Sequence, residues 1–355
     1  MNNKIVYLLG AGAMIDFKAP STKSLTDDFK SIVNEFGFNG IIDLLDNTYG
    51  ADQYNFETII AYVEYLLDWA IANEAQGATV RYTNVIRSIF IPQIKDIKSA
   101  IVSSLYMELI NALIRKIRVY DSCDENYKQK LLKDYFSTIS DEHNVKIYSL
   151  NYDRLIPQLF GSKINDGTIN SEIPDTRKFC YDIIEFIENK FTYFNLHGSI
   201  YLKQNPNMRY NVYQSEMPAY IEHCIPQAGG SPNDMKIFSP IIAGYSKSQR
   251  ILSEPYHFGY SSFCADCSDC EKIIIVGYSF SDPHINTILR KYVVENQKKI
   301  VIVDYNIKND YSTIESHLDN ELKYIEAFTP KPYGAESQNV SIYLNGFVNY
   351  LTNVG

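Results

Sequence analysis

The chain has 355 residues, 45% hydrophobic and 21% charged, which supplies enough apolar material for a large core and argues against global disorder. Its 33 Lys and Arg stand against 42 Asp and Glu, a formal net charge of −9, so direct nucleic-acid binding through a basic face is not expected. No run approaches about 18 uninterrupted apolar residues, no secretory cleavage site follows Met1 to Leu9, and six cysteines are too sparse for a disulfide scaffold; no membrane partner and a cytoplasmic location are expected.

The first predicted element is a strand, Lys4 to Leu9. Between it and the next strand lie helical patterns: Phe29, Ile32 and Val33, then Ile59, Ile60, Val63, Leu66, Leu67, Ala70 and Ile71, then Ile101, Leu105, Leu109 and Leu113. Residues 40–140 read as a helical insertion, a lobe of its own. Further β-branched runs at Val145 to Leu150, Phe191 to Leu196, Lys272 to Val276 and Lys299 to Val303 read as buried parallel strands, with a weaker candidate at Leu322 to Phe328. The stretch from about 203 to 250 reads as loop-rich. Helical patterns at Pro283 to Glu295 and around Ile314 to Leu318 complete a βαβ alternation. The fold class expected is α/β, a Rossmann-like parallel sheet with an inserted helical lobe: residues 1–39 and 141–330 form the Rossmann-like domain, 40–140 the insertion and 331–355 a C-terminal helical tail.

Chemistry concentrates after the strands. Gly10-Ala11-Gly12 follows the first, Asn151-Tyr152-Asp153 the second, His197-Gly198-Ser199 the third, Gly277-Tyr278-Ser279 the fourth and Asp304-Tyr305-Asn306 the fifth. Ligands of open parallel sheets bind at that edge. Gly10-Ala11-Gly12 suits a tight turn against a diphosphate. Position 15 is Ile15 rather than the third glycine or alanine of a dinucleotide fingerprint, and no acidic residue follows at a second strand tip, which disfavours hydride transfer. Asn151 and Asp153 suit ribose hydroxyls or a water, or else Asn151 caps a helix through Leu155. His197 is a general base near neutral pH or a histidine satisfied within the sheet. Gly277 and Ser279 suit close approach of a ligand, while Ser281 and Asp282 read as caps ahead of Pro283. Asp304 accepts from a ribose hydroxyl pair or, with Asn306, serves a turn.

In order and spacing these motifs, with Ala19-Pro20-Ser21-Thr22 and Phe280-Ser281-Asp282-Pro283, resemble those of sirtuin-like NAD-binding domains, and more closely a bacterial antiphage-defence branch. The resemblance spans about residues 4–306. It implies NAD in a cleft between sheet and helical lobe, with Gly10, Ala11 and Gly12 at the diphosphate. Asn151 and Asp153 would hold the nicotinamide ribose and its water, His197 would be the base, and Gly277, Ser279 and Asp304 would line the adenosine side. Tyr152 replaces the apolar residue usual in deacetylating sirtuins. The function expected is therefore hydrolysis of NAD at the nicotinamide–ribose bond; an NAD-dependent protein deacylase and a non-catalytic nucleotide-sensing subunit are the alternatives. Partners implied are another copy of the chain, through the helical lobe, or a separately encoded HerA-type ATPase or other defence partner such as a nucleic-acid-guided protein.

No metal is expected. Deacetylating sirtuins carry two paired cysteine sets around zinc, whereas this chain has Cys264, Cys267 and Cys270, with Cys224 or His257 as conceivable fourth ligands. The same segment, Tyr260 to Asp269, reads as a helix on which Cys264 and Cys267 share a face.

Overall fold

The computed structural model describes residues 3–74, 98–121, 126–204, 212–218, 241–243, 247–305, 310–324, 328–332 and 334–354. In chain order its strands are β1 (Lys4–Leu9), β2 (Asn144–Ser149), β3 (Thr168–Asn170), β4 (Thr176–Phe179), β5 (Phe191–Asn195), β6 (Leu202–Gln204), β7 (Val212–Ser215), β8 (Lys272–Val276), β9 (Lys299–Val303), β10 (Thr329–Lys331), β11 (Gly334–Glu336) and β12 (Val340–Tyr343). Eight of them form one sheet in the order β10-β11-β12-β9-β8-β1-β2-β5, and β3-β4-β7-β6 form a small antiparallel sheet. Every pairing from β12 through β5 is parallel; only the β10 and β11 pairings at one edge are antiparallel. The class is α/β.

Strand alternation explains the unbroken apolar runs. Ile5, Tyr7 and Leu9 point into a cluster shared with the helices Thr22–Glu35, Phe56–Glu74, Ser99–Tyr120 and Tyr127–Glu142. Val6 and Leu8 point the other way, against Phe258 and Phe263 of the helix Tyr256–Asp269 and Leu318 of the helix Ser312–Leu322. With both faces covered, each strand position meets apolar neighbours. The helical layer begins at Thr22, ahead of residue 40, capped by Ser21 whose side chain accepts from the Ser24 N–H. Its buried residues are continuous with those of β1, β2 and β5, so it shares one core with the sheet.

Two expectations are corrected. The described residues of Leu322 to Phe328 form no strand: the helix Ser312–Leu322 runs into the segment and stops at Lys323, whose φ of 57° is left-handed, and residues 325–327 lie outside the described residues. Residues 331–355 are not a helical tail: β11 and β12 extend the sheet and, among the described residues of this segment, only Phe347–Val354 is helical. The apolar residues Val340 and Ile342 alternate with Ser341 and Tyr343, a two-residue period too short to outweigh the surrounding polar segment in the sequence.

On the second face Asp266 is fully buried, 2.9 Å from Lys4 Nζ and 2.6 Å from the Tyr148 hydroxyl that donates to it. Lys4 Nζ also lies 3.0 Å from Asp269 Oδ2, but that carboxylate is exposed, so removing Asp266 leaves the buried ammonium and the Tyr148 hydroxyl without their buried partner. Asp266→Ala is therefore expected to cost about 3 kcal/mol of stability, read by denaturant unfolding; a loss below about 1 kcal/mol would mean that the pair behaves like a surface one.

Candidate active site

Register brings the strand exits to one level. Leu9 pairs with both Ser149 and Val276, Ser149 with Asn195, and Val276 with Val303, so the five polar clusters leave the same sheet edge together. Above the exits of β1, β2, β5 and β8 is a cavity of about 660 Å³, within the ordinary range of small-molecule sites. Gly10, Ala11, Gly12, Asn151, His197, Gly277 and Ser279 line its sheet side, and Phe56, Tyr62 and Tyr120 are among the residues of its helical wall.

The glycines set how closely two exits approach. Gly10 and Gly12 donate their N–H groups to Val276 O (2.8 Å) and Gly277 O (2.9 Å), which spends on the neighbouring loop two amides expected to face a diphosphate; Ala11 takes no part in these bonds. A Cβ on Gly10 would lie 2.4 Å from Gly277 O, one on Gly12 2.7 Å from Gly277 Cα, and one on Gly277 2.3 Å from Ala13 N. Gly277 also has φ +58°. These three positions admit no side chain because backbone meets backbone.

Asn151 is fixed by donating from Nδ2 to Gly10 O at 2.9 Å, so it ties the β2 exit to the glycine turn rather than capping the helix Leu155–Phe160. Asn195 Nδ2 holds the same loop through Asn151 O (2.8 Å) and Asp153 O (2.9 Å). Asp153 forms an Asx turn ahead of that helix, whose N-cap is Arg154. Its Oδ1 accepts from the Leu155 N–H at 3.1 Å and its Oδ2 from the Tyr120 hydroxyl at 3.2 Å, and it is fully buried outside the cavity lining. Burial pushes its carboxyl above the usual range. Asp304 also stays outside the lining: Oδ1 accepts from the Tyr305 N–H, and Tyr305 bridges to Asn345 just past β12. The Asp304 N–H donates to Tyr343 O at 2.8 Å and its carbonyl accepts from the Gly346 N–H at 2.9 Å, so the backbone runs on beside β12; Asn306 lies outside the described residues.

His197 is buried, and its ring meets a group that the motif reading assigned only to a helix cap. Asp282 Oδ1 does cap the helix Pro283–Leu289, accepting from the His284 N–H at 2.9 Å. Its Oδ2 lies 2.9 Å from His197 Nε2 and 2.7 Å from Lys247 Nζ, at ion-pair distance but without hydrogen-bond alignment. A cap uses one carboxylate oxygen, which leaves the second for another partner. Glu57, in the first turn of the helix Phe56–Glu74, also lines the cavity and accepts from the Tyr152 hydroxyl at 3.0 Å. Neither Glu57 nor Lys247 carried a motif signal, since their neighbours in the site are distant in sequence.

Burial and then Lys247 lower the His197 pKa below its ordinary 6.5, against the raising effects of Asp282 and Glu57. Burial alone would raise the Asp282 carboxyl, but His197 and Lys247 hold it well below the carboxylate range. At neutral pH the ring is a neutral base beside an anion.

Cys264 and Cys267 lie on the helix Tyr256–Asp269, with Cys270 just after it. Burial pushes the Cys267 thiol up and Cys270 to about 11, which disfavours thiolate ligands. Among the described residues no group of three or more His, Cys, Asp or Glu is arranged to hold a metal; Cys224 lies outside them. Elemental analysis of the purified protein is expected to give no stoichiometric zinc, and one tightly held zinc per chain would contradict this.

No family model matches the sequence, and no curated protein matches it either. Among solved structures similar to it is one concerning the structural basis of sirtuin substrate affinity, at 12% identity and a TM-score of 0.37, with 99% of this chain and 92% of that chain covered. An overlap of that size carries no weight for function. No helix among the described residues is long and apolar enough to cross a membrane.

Proposed function

We propose that the protein binds NAD in this cavity and hydrolyses its nicotinamide–ribose bond. The observation that carries the reading is a buried histidine, His197, lining with Asn151 a cavity at the C-terminal edge of a parallel sheet, beside a glycine turn. Asn151 Nδ2 is committed to Gly10 O, which leaves Oδ1 as the acceptor for a ribose hydroxyl or the attacking water. Water adds at C1′ as the bond to the nicotinamide nitrogen breaks; the electron pair leaves with nicotinamide and the water proton passes to His197. The carboxylates of Glu57 and Asp282 place negative charge around the oxocarbenium-like transition state. Gly277 and Ser279 line the space left for the rest of the dinucleotide.

Following the sequence resemblance, this activity serves antiphage defence in the cytoplasm, in a homo-oligomer or with a HerA-type ATPase. The exposed Val119 at the end of the helix Ser99–Tyr120 and Tyr127 at the start of the next suit a contact by the helical layer. Incubation of the pure protein with NAD, followed by chromatography of free nicotinamide, tests the reaction. Equimolar nicotinamide and ADP-ribose are expected; nicotinamide released only with an acylated peptide would identify a deacylase, and no release a sensor.

The pH dependence follows from His197. The neutral ring is the active base, and its pKa is lowered, so kcat/KM is expected to hold from neutrality down past pH 6.5 and to fall only below it. A pH–rate profile whose acid limb lies above 6.5 would assign that limb to another group.

A further inference from the structure

We propose, on the reading that this cavity is the NAD site, that Asp282 is the positioning residue of His197, fixing the ring tautomer with its proton on Nε2 and its lone pair on Nδ1, while Lys247 tunes the pair through the same carboxylate oxygen. Asp282 itself has little freedom. Oδ1 is committed to the His284 N–H, and the Tyr278 hydroxyl sits between the Asp282 N–H (3.2 Å) and Asn286 Oδ1 (2.8 Å). Only Oδ2 is left to point at the ring. His197 is held from its own side by the Ile242 N–H, which donates to its carbonyl at 2.7 Å.

The pairing is not a by-product of adjacent loops. His197 leaves β5 and Asp282 follows β8, and β1 and β2 lie between them in the sheet, so the contact spans the exits that carry Gly10–Gly12 and Asn151. The cap of the helix Pro283–Leu289 needs Oδ1 alone. The contact is not aligned as a hydrogen bond, so the preference is electrostatic: an anion 2.9 Å from Nε2 favours the proton on that nitrogen, which leaves Nδ1 as the acceptor. When the water oxygen bonds to C1′ and nicotinamide departs with the glycosidic electron pair, the water proton moves to Nδ1. The ring then becomes an imidazolium whose new charge faces Asp282, and it returns the proton to solvent after product release. The charged groups that act on the ring are Asp282 and Glu57, which favour its protonated form, and Lys247, which opposes it.

Opposite signs give the test. The full-length chain carries Asp282→Asn, which keeps an acceptor for the helix cap, or Lys247→Met, which removes only the cation. His197 is followed by ring nitrogen and proton NMR, assigned by the signal lost in His197→Gln, and NAD turnover is followed against pH. Wild type is expected to show Nε2–H with titration below 6.5. Asp282→Asn is expected to lower kcat roughly 10- to 100-fold with KM within about threefold, and to move the ring titration to lower pH or transfer its proton to Nδ1. Lys247→Met moves the titration to higher pH. An unchanged tautomer and titration in Asp282→Asn would overturn the proposal, as would an unmoved titration in Lys247→Met if the first variant does not fold. A wild-type chain that releases no nicotinamide would defeat the NAD-hydrolase reading separately, because the ring spectra still decide the role of Asp282.

Discussion

His197→Ala is expected to lower nicotinamide release from NAD by about 10²- to 10⁴-fold, the usual loss when a positioned acid–base group is removed, with little change in melting temperature. The ring is buried but lines a cavity of about 660 Å³, so truncation enlarges an existing space rather than opening a void in the packed core. Asp282 keeps Lys247 at 2.7 Å when the ring is gone, so no anion is left without a cation. Parallel measurement of turnover and thermal unfolding separates chemistry from folding. Wild-type turnover in the variant would remove His197 from the mechanism, and lost activity accompanied by unfolding would make it a structural residue. Asn151→Ala differs in kind, since it also deletes the bond to Gly10 O.

The largest effect on stability is expected from Gly277→Ala. Its φ of +58° is costly for any residue with a Cβ, and that Cβ would fall 2.3 Å from Ala13 N and from Gly12 C, backbone atoms that cannot rotate away. A loss of at least about 3 kcal/mol is expected. Gly37→Ala is the internal control: its φ is +79° but nothing lies within 4 Å, so only the conformational cost of about 1–2 kcal/mol remains. Denaturant unfolding of both variants isolates the steric part. Equal losses would show that the β1 and β8 exits separate freely. Gly12→Val belongs with Gly277→Ala, because its branch would meet the Gly277 backbone before any ligand.

Strand positions were the most legible part of the sequence. Lys4–Leu9, Lys272–Val276 and Lys299–Val303 coincide with their apolar runs because both sheet faces are covered and no polar position interrupts them. Val340–Tyr343 escaped because it is short and alternating. Of the residues expected at the site, those that follow strands directly share one edge and line the cavity, since topology alone places Gly10, Asn151, His197 and Gly277 there. Asp153 and Asp304 stand in the same motifs but turn away, which depends on backbone direction two residues beyond the strand and leaves no trace in composition. Glu57 and Lys247 arrive from the helical layer and from a segment far along the chain, and only the folded arrangement joins them to His197.

The turn after β1 has a further consequence for the order in which the molecule assembles. Asp16 Oδ2, a few residues past the glycines, accepts from the N–H of Val348 in the last helix across 332 residues of sequence, while Lys128 Nζ donates to Asp16 O across 112. Contacts of such span carry the loop-closure entropy of nearly the whole chain and are formed slowly. During synthesis the glycine turn is made before this anchor and lacks it until the helix Phe347–Val354 docks. A turn that lines the cavity thus acquires all its native restraints only after the helix Phe347–Val354 has been made.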